Sequence, residues 1–192
     1  MLEGHGFKNV YSMHGGVNAW DGITAKGPPE AGMAYFTPAS GIEELIELAW
    51  RLEDGTRRFY LELHPSFKQE VANLYLELAK AEEHHQDLLT GLLREMSGKS
   101  SIKDLSGPGI EKGEAIMEGG IPVSEALGWA KEKMASEVAE LALSLEANSF
   151  DLYIKMERRA EDGRAARIFL ALAREEKQHL ERLESLFEAL IR

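Results

Sequence analysis

Leu78-Ala79-Lys80-Ala81-Glu82-Glu83-His84-His85 and Leu172-Ala173-Arg174-Glu175-Glu176-Lys177-Gln178-His179 are the stretches whose reading decides the fold. Each carries Glu-x-x-His, and each breaks into an apolar stripe. Glu82 and His85 lie between Leu78 and Leu89; Glu176 and His179 lie between Ala173 and Leu183. Residues three apart share a helix face, so the Glu and His of each copy project together. A lone carboxylate is very costly to bury, and a Glu on an apolar stripe therefore needs a partner or a metal.

Upstream of each copy stands a second repeated phrase. Leu52-Glu53-Asp54-Gly55-Thr56-Arg57-Arg58-Phe59-Tyr60 aligns with Leu145-Glu146-Ala147-Asn148-Ser149-Phe150-Asp151-Leu152-Tyr153. The offset is 93 residues for Glu53/Glu146 and 94 for Glu82/Glu176, which leaves one extra residue in the second loop. What repeats is a helix with Glu and Tyr seven apart, followed by a helix with Glu-x-x-His. Antiparallel packing of the two hairpins brings Glu53, Glu82, His85, Glu146, Glu176 and His179 to one level of the core. Four carboxylates balance two divalent ions, which are expected at the spacing of two-metal sites, roughly 3.5–4 Å. Carboxylate and imidazole favour iron or manganese over copper or calcium, and zinc also suits such a site. One Glu on each of two helices plus Glu-x-x-His on the other two is a di-iron pattern of four-helix bundles. Tyr60 and Tyr153 read as core residues whose hydroxyls find a carboxylate beside the metal ligands.

Glycine and proline set the boundaries. Of 18 Gly, eight lie in residues 1–41 and eight in 91–128, and no Pro follows Pro122. The expectation is an irregular head, a helical block, a loop-rich connector and a second helical block. Ser40-Gly41-Ile42-Glu43 has a capping-box pattern, and His64-Pro65 stops the first helix because a residue before proline disfavours the α conformation. Ser66 to Gln69 restarts the chain, and the second helix runs to Gly98. A long connection, 97–123, leads to a third helix from Ser124 to about Ala160, and Asp162-Gly163 turns the chain into a fourth. Short loops within each pair and one long crossover between helices 2 and 3 give an all-α, ferritin-like four-helix bundle.

Composition narrows the partners. The chain has 192 residues, no Cys and a net charge of −11. Disulfides, thiolate metal sites, iron–sulfur clusters and a Cys nucleophile are excluded. The acidic balance argues against nucleic acid and gives no reason to expect an acidic membrane surface. No apolar run approaches the roughly 20 residues of a membrane span, and Met1 to Val10 lacks the basic and apolar regions of a signal peptide. A cytoplasmic protein is expected.

Residues 37–192 resemble the rubrerythrin branch of the ferritin-like superfamily, on the phrases Leu-Glu-Asp-Gly…Phe-Tyr, Ala-Glu-Glu-His-His, Leu-Glu-Ala-Asn…Leu-Tyr and Glu-Glu-Lys-Gln-His. The resemblance implies a di-iron centre held by Glu53, Glu82, His85, Glu146, Glu176 and His179, with Glu82 and Glu176 bridging. It implies reduction of hydrogen peroxide or O2 in oxidative-stress defence, or an iron-binding, ferroxidase-type role without peroxidase turnover. Two departures stand out. Rubrerythrins have a further Glu three residues after the third-helix ligand, where this chain has Ser149. They also carry a Cys-rich rubredoxin domain, so a Cys-free chain calls for a separate electron-donor protein.

The head resembles something else. Gly6-Phe7-Lys8-Asn9-Val10-Tyr11-Ser12-Met13-His14-Gly15-Gly16-Val17-Asn18-Ala19-Trp20 is similar to the closing strand, turn and helix of a rhodanese domain. Residues 1–36 are read as such a remnant and its linker, without the catalytic Cys loop and without sulfurtransferase activity. Its apolar residues lack a sheet to bury them, so the head is expected to pack on the bundle or across a homodimer or larger homo-oligomer. His5, His14 and His64 are given no role, and Glu83, Glu175, Glu181 and Glu184 are assigned to a solvated face.

Overall fold

The computed structural model describes residues 41–98 and 115–191. The rhodanese-like stretch lies outside the described residues. Five α-helices are described: α1 Ile42–Leu63, α2 Gln69–Ser97, α3 Val123–Ala130, α4 Ala135–Arg159 and α5 Gly163–Ile191. Two 3-10 turns, His64–Ser66 and Glu118–Gly120, complete the regular structure. α1 packs on α2 and α4 on α5 as two hairpins, α2 also meets α5, and α3 lies against α1. Among the described residues no helix is long and apolar enough to cross a membrane.

Local chemistry accounts for the ends. Glu44 Oε2 accepts from the Gly41 amide at 3.3 Å, so the box that starts α1 uses Glu44 and Gly41 rather than Ser40. α1 ends where Pro65 forces a 3-10 turn. α2 closes on Gly98 at φ 68, the left-handed cap that glycine tolerates. Asp162 Oδ2 accepts from the amides of Arg164 (3.1 Å) and Ala165 (2.8 Å) and so caps α5.

The third helix departs from expectation, because it is two helices. Ala130 ends α3 and Met134 is extended, with φ −73 and ψ 158. Glu137 Oε2 takes the Met134 amide at 2.7 Å and its Oε1 takes Lys133 Nζ at 3.0 Å. A fresh N-terminus is thus built by side chains within a stretch that holds neither Gly nor Pro. Lys133 also lies over the Trp129 ring, 5.2 Å from its centroid.

The end of the crossover is ordered against the bundle. Ile116 and Pro122 pair in an antiparallel bridge, with Met117 N donating to Ile121 O at 2.9 Å and Val123 N to Ala115 O at 2.9 Å. Gly119 and Gly120 turn the chain at φ 81 and 78. This small loop packs on both α1 and α4. It comes so close to α1 that a Cβ on Gly55 would collide with the Ile116 carbonyl. Gly55→Ala would improve helix propensity but overpack this contact. The overpacking is expected to dominate, lowering stability by about 2–3 kcal/mol in denaturant unfolding.

The apolar core falls into two clusters. One is centred on Ile46, Leu52, Leu89, Tyr153, Phe169 and Leu172, the other on Phe59, Tyr60, Tyr75, Leu78, Leu141 and Leu145. Between the ends lies a buried polar layer that includes Glu53, Thr56, Glu82, His85, Glu146, Ser149, Glu176 and His179.

Candidate metal centre

All six residues expected to hold metal are buried, none more than 6% exposed. They form two groups whose ligand atoms lie within 4.8 Å of one another: Glu53, Glu82, His85 and Glu176, and Glu82, Glu146, Glu176 and His179. Glu82 and Glu176 belong to both. Each Glu-x-x-His helix thus supplies one shared carboxylate and one imidazole, and α1 and α4 each supply one unshared carboxylate.

The hydrogen-bond arithmetic of this cluster does not close. His85 Nδ1 has Glu53 Oε2 at 3.3 Å, Glu82 Oε2 at 3.1 Å and Glu176 Oε1 at 3.1 Å. One ring nitrogen carries at most one proton and cannot satisfy three carboxylates. Around His179 Nδ1, Glu146 Oε2 lies at 3.0 Å and Glu176 Oε2 at 3.2 Å. The two imidazoles lie 5.5 Å apart between centroids and stack at 23°. No Lys or Arg pairs with these four carboxylates among the described residues. Converging acceptors with too few protons describe a cation site, and carboxylate with imidazole is a donor set that fits iron.

The protonation pattern follows from the same shortage. Burial, with Glu53 and Glu146 nearby, pushes the Glu82 carboxyl well above the usual range. Burial and Glu176 raise Glu146 to about 7 against the opposing pull of His179. Burial would raise Glu176 too, but His85 and His179 flank it and hold it well below the ordinary value. Burial would lower both imidazoles; instead Glu176 and Glu53 raise His85, and Glu146 and Glu176 raise His179 to about 10.

The tyrosines reach across the hairpins. Tyr60 of α1 donates to Glu146 Oε1 on α4, and Tyr153 of α4 donates to Glu53 Oε1 on α1. Each unshared Glu therefore turns one oxygen to a tyrosine and the other to an imidazole. Burial and the adjacent carboxylate raise both phenols, so each keeps its proton for the donor role.

Two acidic contacts escaped the sequence reading. Glu175, assigned to solvent, places Oε2 3.3 Å from His85 Nε2, and this contact lowers its carboxyl pKa. His85 is thereby gripped on the side away from the cluster, the arrangement that fixes ring orientation in metal-bound histidines. The matching position in the first hairpin is Ala81. Glu175→Ala is expected to weaken the ion beside His85 by about 10–100-fold while sparing the one beside His179. Calorimetric titration with Mn(II) would resolve the two affinities. The second missed residue, Glu118, is buried in the crossover loop with Oε2 accepting from the Thr56 hydroxyl. His84, next to His85 in the chain, is exposed.

Known proteins share this architecture. The Rubrerythrin family model matches residues 44–135, which include Glu53, Glu82 and His85. A hypothetical protein from Pyrococcus furiosus superposes with a TM-score of 0.62 at 24% identity, over 83% of this chain and 93% of that one. A candidate ferritin-like diiron-carboxylate protein from Thermotoga maritima superposes with a TM-score of 0.58 at 24% identity, over 78% and 95%. Comparison with curated proteins finds no match. The fold is that of the ferritin-like helical proteins, and similarity to Rubrerythrin runs through the first hairpin and the crossover.

Proposed function

We propose that this chain is a di-iron oxidoreductase of the rubrerythrin type, reducing hydrogen peroxide or O2 with electrons from a separate donor protein. The observation that carries the reading is the pair of four-residue donor groups sharing Glu82 and Glu176. Glu53 and His85 would hold one ion, Glu146 and His179 the other, and the two shared carboxylates would span both. Bound iron would supply the two electrons that, with two protons, take hydrogen peroxide to water or O2 to hydrogen peroxide.

The remaining work falls to the chain itself. Tyr60 and Tyr153 fix the rotation of Glu146 and Glu53, so one oxygen of each faces its imidazole. Glu175 holds the His85 ring. The apolar ends of the bundle exclude water, which strengthens every electrostatic interaction inside. With no Cys in the chain, electrons must arrive from outside it.

The test is anaerobic loading with Fe(II), then stopped-flow mixing with hydrogen peroxide in the presence and absence of a reductant. The expected result is two ferrous ions oxidised per peroxide, with repeated turnover when reductant is present. One oxidation with iron retained and no turnover would support the iron-binding, ferroxidase-type role instead. Failure to bind iron would overturn both.

A further inference from the structure

Glu118 belongs to neither four-residue group and to no α-helix, yet it is 2% exposed. Its backbone is fixed by the Met117–Ile121 hydrogen bond and by the close packing of Ile116 on Gly55. On the other flank, a Cβ on Gly119 would fall 2.8 Å from Asn148 Nδ2. The loop therefore lies between Thr56 of α1, buried one turn beyond Glu53, and Asn148 of α4. Thr56 donates its hydroxyl to Glu118 Oε2, whereas Glu118 Oε1 is buried without a hydrogen-bond partner. Among the described residues no Lys or Arg pairs with it.

A buried carboxylate with an orphaned oxygen needs a proton or a cation. Resting on the metal-centre reading, the geometry points to Glu118 as a seventh donor of that centre, carried in by the crossover loop and serving the ion beside Glu53 and His85. The side is set by Thr56, which stands one turn beyond Glu53 on α1 and binds the Glu118 carboxyl. Glu53 and Glu176 bear on Glu118, which burial and these charges push well above the carboxylate range against the opposing Thr56 hydroxyl and its own amide. Tyr153, which grips Glu53, also feels it. One Glu118 oxygen is thus tied to Thr56 and the other is left for a cation.

A purely structural Glu118 would need only its bond to Thr56, and glutamine keeps both that bond and the shape. The experiment is therefore Co(II) titration of the metal-free full chain, read by affinity and by visible absorption, which reports coordination number. Wild type is expected to bind two ions. Glu118→Gln should still bind two, one of them about tenfold more weakly, with stronger absorption as that ion loses a ligand. Unchanged affinities and an unchanged spectrum would overturn the proposal while leaving the six-residue centre intact. If wild type takes up no Co(II), the centre itself fails and the seventh donor with it. Should Glu118→Gln not fold, as judged by circular dichroism, Thr56→Val decides. Freeing Glu118 should tighten one ion severalfold, and no change in either ion would overturn the proposal.

Discussion

Glu82→Gln is expected to remove both metal ions and yet make the metal-free protein more stable. Glu82 lies in both donor groups, so neither ion keeps its full set without it. Taking one partner from a buried charged cluster costs about 3–5 kcal/mol, on the order of 10²–10³-fold in affinity. In the metal-free bundle the same side chain is a liability, since burial and its carboxylate neighbours drive it toward the protonated form. An amide of the same shape is neutral without taking up a proton on folding, and a gain of about 1–3 kcal/mol at neutral pH is expected. Thermal unfolding with and without Mn(II) checks both halves. A variant that melts lower than wild type without metal would overturn the stability half, and one that gains as much from Mn(II) as wild type would overturn the metal half.

Metal should raise the melting temperature of the wild-type chain, and the rise should grow with pH. At a free ion concentration about 1,000-fold above Kd, each ion adds about 4 kcal/mol, or roughly 8–16 °C for a chain of this size. The pH dependence comes from protons that the ions displace. Glu146 is raised from 4.5 to about 7, so the stability its proton confers is complete below pH 4.5 and is lost as pH climbs through about 7. His179 is raised from 6.5 to about 10, so its contribution is complete below pH 6.5 and is lost as pH climbs through about 10. The metal-free bundle therefore weakens from acid to alkaline pH while its site opens to cations. Each displaced proton is worth about tenfold in apparent affinity per pH unit. Melting curves at pH 5, 7 and 9 would show the gap widening; a constant gap would mean that these groups do not meet the ion.

The six clustered Glu and His residues were legible because helices impose a period. Glu82 and His85 must share a face at a spacing of three, and the second copy at Glu176 and His179 shows that the pattern is not accidental. The alternation of Gly-rich and Gly-poor stretches likewise exposed the hairpins and the crossover. Glu118 obeys no such rule. It lies in an acidic, glycine-rich loop where nothing local distinguishes it from Glu111 or Glu114, and only the packing of the loop on Gly55 and Thr56 brings it beside the Glu53 turn of α1. The one hint was Gly55 itself, a helix-interior glycine that costs about 1 kcal/mol against Ala and so implies a close neighbour. Glu175 was misjudged for another reason. Its angle around α5 points away from Glu176, yet a long side chain beside α2 still reaches the far nitrogen of His85. The break between Ala130 and Ala135 was invisible because Glu137 and Lys133 build it with side chains, not with Gly or Pro.

The crossing of the tyrosines has a bearing on when the protein can first hold an ion. As the chain leaves the ribosome, α1 and α2 emerge well before α4 and α5. That nascent hairpin carries Glu53, Glu82 and His85, but Glu53 has no tyrosine to orient it and the second shared carboxylate does not yet exist. Tyr153 and Glu176 arrive together on the later hairpin, and Tyr60 in turn waits for Glu146. Neither half alone brings either four-residue group together, so on the metal-centre reading capture of metal would follow docking of the halves. A reactive ion would then enter only once the walls that shield it from water are in place.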